Sequence, residues 1–461
     1  MGVKDKVLYF NNEKFKQLEK NGSVIFTSTQ QYKWFKTTIT GKDILLKIDG
    51  KKSVKEVAKE IAIEYELPIE VIEKDIYNFC KISLDNGIIY ESKEDEKEIE
   101  LNKNIKSVYI EVTNQCNLKC KYCNSNNCFK EEAKFLDPET LEEYLKKITS
   151  INNNAPILVN LTGGEPLLNT RIEELFKVIR EYDCRISLST NGLLLTEEKA
   201  DLIKEYCDFV MLSLDSKDKE VNDMIRGEGS YEAVISSAKI CREREITFFI
   251  SATPTKYNIE NLEKLISFTY DLEADGFMIN EPILLDKEGN SLKEHFNYSL
   301  DKLESKKAFV RKRTAIINSW KNDRLKYNKK DKVNLIFIED IKRCMNSVFN
   351  IIPKANCGAG VNEILIDING IVYPCHALNV AKYALGTVEE YTSNKKDFIK
   401  IDDINECKDC NLNIFCLGGC RAQSLFHNKD IYSKYPSCKY EKENYEQILW
   451  SPLKPIELKE K

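Results

Sequence analysis

Histidine is nearly missing: the chain has 3 in 461 residues. Mixed Cys/His zinc sites therefore have few ligands to draw on, which favours all-thiolate metal chemistry. No apolar run approaches the ~18 residues that a membrane-spanning helix needs. The opening residues, MGVKDKVLYF, lack the apolar core of a signal peptide, and Lys6 stands where N-myristoylation needs Ser or Thr. Neither sign of charge dominates. A net charge of −5 and a pI of about 5.7 argue against a nucleic-acid backbone as the main partner. The expected setting is cytoplasmic, with no nucleic-acid partner and no membrane.

What the chain does have is cysteine, 16 residues in all. In a reducing compartment, clustered cysteines point to metal rather than to disulfides. The length exceeds one ordinary domain, and 42% hydrophobic with 31% charged residues is a globular balance.

The chain divides into three parts with two connectors. Residues 1–92 read as a small α+β unit. Val24–Ser28 and Tyr32–Thr37 are strand-like, and Ser53 with Glu56 forms a capping box. Val54, Val57, Ala58, Ile61 and Ala62 make one helical stripe. Pro68 opens a second helix that closes near Asn86–Gly87, and Ile88–Tyr90 is a last strand. Helix, helix, strand is a winged-helix order. Residues 93–104 are a charged linker. Residues 105–290 alternate strands (107–113, 157–162, 185–190, 209–214, 247–253, 276–280) with helices such as 138–148, 172–182 and 197–206. Six such units predict an α/β fold with a parallel sheet, its chemistry on the loops after the strands. Residues 291–343 are a Lys-rich helical connector. In 344–461 periodicity fades while cysteine density rises, as in a small domain stapled by metal.

Directly after the first barrel strand comes Cys116-x3-Cys120-x2-Cys123. Three thiolates can hold a four-iron cluster with one iron open, whereas cubane clusters otherwise take four Cys. Gly163-Gly164-Glu165-Pro166 follows the second strand, Ser189-Thr190-Asn191-Gly192 the third, and Ser213-Leu214-Asp215 ends the fourth. Arg226 lies in MIRG. Together these motifs resemble the radical S-adenosylmethionine (SAM) superfamily over about 105–285. The resemblance implies a partial (β/α)6 TIM-like barrel, a 4Fe-4S cluster on Cys116, Cys120 and Cys123, and SAM contacts from Gly163, Gly164, Glu165, Ser189, Asn191, Ser213, Asp215 and Arg226. It also implies reductive cleavage of SAM to a 5′-deoxyadenosyl radical.

Further on stand Cys357, Gly370-x4-Cys375, Cys407-x2-Cys410-x5-Cys416-x3-Cys420 and Cys438. The four-Cys run has chance odds on the order of one in a thousand. It resembles the SPASM extension of peptide-modifying radical enzymes, which implies two auxiliary 4Fe-4S clusters and so three in all. Carried over, Cys357, Cys375 and Cys420 hold the nearer cluster, and Cys407, Cys410, Cys416 and Cys438 the farther one. Cys344 is placed to complete the nearer cluster, or to be a buried thiol. Cys80, Cys184, Cys207 and Cys241 read as small apolar residues, and so does Cys128.

Residues 44–89 resemble the PqqD-like recognition element of ribosomal peptide pathways. That resemblance implies a precursor peptide as partner, its leader added as a strand beside the N-terminal hairpin, with 24–37 as the edge. Asn356–Gly360 resembles subtilosin-type maturases, and Tyr373-Pro374-Cys375-His376 the ranthipeptide type. Sulfatase maturases carry a catalytic Asp where His376 stands; His376 reads instead as a hydrogen-bonding neighbour of a cluster. The resemblance implies thioether formation between a Cys sulfur and a carbon of the peptide, with a flavodoxin or ferredoxin as electron donor. Carbon–carbon or carbon–oxygen crosslinking and epimerisation are alternatives with the same machinery. A non-catalytic iron–sulfur carrier is a third class, and the intact GGEP and CxxxCxxC motifs speak against it.

Overall fold

The computed structural model describes residues 2–28, 33–96, 104–125, 132–307, 349–351, 358–392, 399 and 401–450. Cys128, Cys344, Cys357 and most of the expected 291–343 connector lie outside the described residues.

The N-terminal unit has strands β1 (Val7–Tyr9), β2 (Lys16–Lys20), β3 (Ser23–Ser28), β4 (Lys33–Thr38) and β5 (Asp49–Ser53), with helices Ile39–Lys47, Val54–Glu64 and Ile69–Asp85. The Ser53–Glu56 capping box forms in both directions and starts the second helix. That helix buries Val54, Val57, Ala58, Ile61 and Ala62, the stripe read from the sequence. The expected last strand at 88–90 is only a bridge between Tyr90 and Tyr9, because β1 is three residues long. The core holds a close aromatic group in which Phe26 and Phe35 stack at 4.8 Å.

The second unit is a parallel α/β layer. Strands β6 (Ser107–Glu111), β7 (Leu158–Thr162), β8 (Arg185–Thr190), β9 (Phe209–Ser213), β10 (Phe248–Ala252) and β11 (Gly276–Ile279) pair in chain order, each parallel to the next. Intervening helices cover the outer face, where Val108, Ile110, Val159, Leu161, Ile186, Leu188, Val210 and Leu212 are buried. The alternate residues, among them Tyr109, Glu111, Asn160 and Ser187, turn the other way, as strand geometry requires.

The Cys-rich segment is less irregular than its sequence suggests. It supplies β12 (Phe349–Ile351), β13 (Glu363–Ile366) and β14 (Val372–Tyr373). β13 pairs parallel with β6, and β14 antiparallel with β13, so the sheet has eight strands rather than six. β12 pairs antiparallel with β4, with Asn350 opposite Trp34. The N-terminal sheet is therefore ordered β12-β4-β3-β2. This corrects the docking edge expected at 24–37: β3 is interior, and the outer side of β4 already carries a strand of the same chain. Among the described residues, no helix is long and apolar enough to cross a membrane.

Candidate active site

The loop after β6 carries Cys116, Cys120 and Cys123, all half-buried. It is held from three sides. The GGEP turn lies against its backbone: Gly164 N donates to Thr113 O at 2.9 Å and Glu165 N to Gln115 O at 2.8 Å. Gly163 has φ +126°, and a Cβ there would stand 2.3 Å from Thr113 O; one at Gly164 would stand 1.9 Å from Gln115 O. Only glycine lets the two loops meet.

Glu165 is fully buried and turns toward the loop after β8. It accepts from Thr190 Oγ1 at 2.7 Å, Asn191 N at 2.8 Å and Leu167 N at 3.2 Å. Burial pushes its carboxyl pKa up against these donors. Asn191 then reaches the cysteine loop, with Nδ2 2.7 Å from Asn117 Oδ1 and 3.9 Å from Cys116 Sγ.

The third support is a buried charge network. Arg226 Nε donates to Asp215 Oδ2 at 2.7 Å and Tyr122 OH to the same oxygen at 2.6 Å. Arg226 Nη2 donates to Tyr122 OH at 2.7 Å, and Thr253 N to Asp215 Oδ1 at 2.8 Å. Cys120 Sγ lies 3.6 Å from Arg226 O. Burial works against the Arg226 charge, but Asp215 and Tyr122 keep the guanidinium firmly protonated. Both oxygens of Asp215 thus take protein donors, and this carboxylate acts by placing Arg226 and Tyr122. Ser189 and Ser213, at the ends of β8 and β9, are half-buried.

The C-terminal cysteines gather in two places. Cys375 and Cys420 pack in the apolar cluster around Leu378, Ile404 and Phe426, which also takes Tyr122 of the barrel loop and the edge of Cys407. Cys407 lies within electrostatic reach of Cys410, Cys416 and Cys438, and Cys416 of Cys438. Burial raises the Cys407 thiol, Cys410 and Cys438 add to that, and Arg421 lowers it. Cys416 is pushed up to about 12 by burial, with Glu441, Cys438 and Cys407 adding. Such thiols need a compensating positive charge to ionise, which bound iron supplies. Leu417, Gly418 and Gly419 all have positive φ, and this left-handed turn reverses the chain between Cys416 and Cys420. Among the described residues, no three His, Cys, Asp or Glu side chains converge tightly enough for a single metal ion. The fit of multi-iron clusters rests instead on the thiol sets and the glycine cradle.

Sequence reasoning missed two features of the inner face. Lys287 Nζ donates to both oxygens of Glu111 at 2.7 Å, tying the segment after β11 to β6. Tyr109 faces His376, with ring centroids 4.9 Å apart, and His376 Nδ1 lies 3.2 Å from Glu363 Oε1. The available signal was the alternation of SVYIE, which puts Tyr109 and Glu111 on one face. The four remaining thiols are structural: Cys80, Cys184 and Cys241 are buried and Cys207 is half-buried.

Residues 110–269 match the family model of the Radical SAM superfamily, and residues 28–89 that of Coenzyme PQQ synthesis protein D (PqqD). The antilisterial bacteriocin subtilosin biosynthesis protein AlbA of Bacillus subtilis (strain 168) is 24% identical over 434 residues, covering 88% of this chain and 89% of AlbA. Among solved structures, native anSMEcpe with bound AdoMet and Cp18Cys peptide superposes with a TM-score of 0.59 at 22% identity, covering 74% of this chain and 97% of that one. Streptococcus suis SuiB bound to precursor peptide SuiA gives 0.53 at 17% identity, covering 93% and 99%. Residues 110–269 are thus a radical SAM domain, and a PqqD-like domain stands ahead of it.

Proposed function

We propose that this protein is a maturase of a ribosomally made peptide and that it joins a peptide Cys sulfur to a peptide carbon. The observation that carries the reading is the union of three parts in one chain. A PqqD-like domain precedes a radical SAM barrel, and the barrel's Tyr122 packs with Cys375 and Cys420 of a cysteine-rich C-terminal part. The similarity to AlbA, which runs through all three parts, favours the thioether over other crosslinks. The peptide seen on SuiB favours a precursor peptide as substrate.

Cys116, Cys120 and Cys123 are the residues to hold the SAM-cleaving cluster. Gly163, Gly164, Ser189, Asn191, Ser213 and Arg226 are proposed to line the SAM site, with Glu165 and Asp215 proposed to hold its walls. Cys375 and Cys420, with Cys357, are proposed for the nearer auxiliary cluster, and Cys407, Cys410, Cys416 and Cys438 for the farther one. When bound, SAM and its cluster supply a radical that removes one hydrogen atom from the peptide. The thiol proton goes to solvent, and the surplus electron leaves through an auxiliary cluster to an external carrier such as a flavodoxin or ferredoxin. The peptide loses two hydrogen atoms per bond formed.

The test is anaerobic reaction of the iron-reconstituted protein with SAM, a reductant and a Cys-containing precursor encoded beside its gene. The expected result is 5′-deoxyadenosine together with a peptide lighter by two hydrogens whose Cys resists alkylation. Cys116→Ala should abolish both while retaining auxiliary iron. A product of unchanged mass, or one whose Cys still alkylates, sinks the thioether reading.

A further inference from the structure

The sheet of the N-terminal domain has two faces. One buries Val24, Phe26 and Phe35 within the domain. The other lays Ile25 and Trp34 on Leu412, Ile414 and Leu449, with half-buried Cys410 and Phe415 in the same apolar cluster. Trp34 is 6% exposed, and its ring meets that of Phe415 at 5.1 Å with an interplanar angle of 75°. Its indole Nε1–H is buried and has no hydrogen-bond partner. A buried Trp N–H ordinarily finds one, because an unmade buried donor loses its water and gains nothing. Ser83 Oγ and His295 Nδ1 are the other such atoms among the described residues. Of the three, Trp34 belongs to the apolar cluster against which Cys410 of the Cys407, Cys410, Cys416 and Cys438 group packs.

Among the described residues no acceptor meets this donor. The polarisable group at the same apolar cluster is the thiol of Cys410. We infer that the Trp34 indole N–H donates a hydrogen bond to the sulfur shell of the iron–sulfur cluster held by Cys407, Cys410, Cys416 and Cys438. This rests on the reading of those thiols as cluster ligands. Hydrogen bonds to cluster sulfurs and partners beyond the ligands tune reduction potential. A donor stabilises the reduced, more negative state and so raises the potential. Trp34 also sits on β4, opposite Asn350 of β12 and Thr27 of β3.

The test uses the full-length, anaerobically reconstituted protein in a Cys116→Ala/Cys120→Ala/Cys123→Ala background, which removes the barrel cluster's signals. Trp34→Phe keeps an aromatic ring and deletes the N–H. It should retain iron but shift the outer cluster's midpoint, followed by electron paramagnetic resonance, to more negative values. The chain has 3 Trp, so ¹⁵N-indole labelling gives a second readout that needs no variant at Trp34. The reduced cluster should show a ¹⁵N coupling that survives Trp320→Phe/Trp450→Phe. An unchanged midpoint in Trp34→Phe, or no ¹⁵N coupling, overturns the inference; the donor would then face the Phe415 ring. Absence of any iron in the triple-Ala background overturns the cluster reading itself, and with it this inference.

Discussion

At the scale of single residues, two carboxylates of the motif loops are engaged inside the protein: Glu165 by three neutral donors and Asp215 by a buried charge. Asp215 is 1% exposed and faces the buried Arg226. Removing one partner of such a pair strands the other. Asp215→Ala should therefore destabilise the protein by about 3–5 kcal/mol, and Asp215→Ala/Arg226→Met should recover part of this. Denaturant unfolding of the apoprotein measures both; a single variant as stable as the parent removes the network from the argument. Glu165 has the opposite sign of consequence. Its folded-state pKa is raised by burial, so the neutral acid is the form that folding favours. That preference is fully present below the ordinary carboxylate pKa and is lost as pH rises through the folded value. Measured against Glu165→Gln, the parent's relative stability should decline from pH 4 toward neutrality. A difference that rises with pH contradicts the burial argument.

At the scale of elements, legibility follows periodicity and caps. β8 at 185–190 and helix Glu197–Tyr206 have the bounds expected from the sequence. The alternation of Ile186 and Leu188 with Ser187 and Ser189 marks the one, and a Thr196 side chain accepting from Lys199 N starts the other. β2, KQLEK, is exposed on nearly every residue and carries no pattern to read. β13 and β14 were hidden for a different reason. They are short and stand among cysteines, and the pairing of β13 with β6, far back in the chain, is one that no local signal reports; β14 in turn pairs with β13. The glycines of GGEP show the same limit in reverse: the motif was plain, but its physical cause is a contact with another loop. Gly164→Ala must push the turn off Gln115, and overpacking of this kind costs about 1–3 kcal/mol. The expected outcome is weaker SAM binding and lower iron retention at the barrel cluster, with the C-terminal iron unaffected. Calorimetric SAM titration and iron analysis check it; parental SAM affinity would mean that the loops can separate at no cost to the site.

At the scale of the whole molecule, composition suggests three parts, but it says nothing of the way the parts lean on one another. A chain read as recognition element, linker and barrel suggests a removable N-terminal module. The packing says otherwise. The outer face of the N-terminal sheet covers Leu412, Ile414 and Leu449, and Lys20 pairs with Glu446 at 3.6 Å. Its β4 also pairs with β12 from beyond the barrel. Deleting residues 1–96 would bare an apolar patch beside Cys410, and patches of that kind drive association. The truncated protein should keep the barrel loop, whose supports described above all lie beyond residue 96, and so should still cleave SAM without peptide. It should lose leader-peptide affinity, self-associate, and release iron from the outer cysteine group faster than the intact chain. Light scattering, deoxyadenosine assay and timed chelation of iron separate these effects. A monomeric truncation that holds its iron as the full chain does would show that the recognition domain is a detachable tether rather than a wall of the outer cluster.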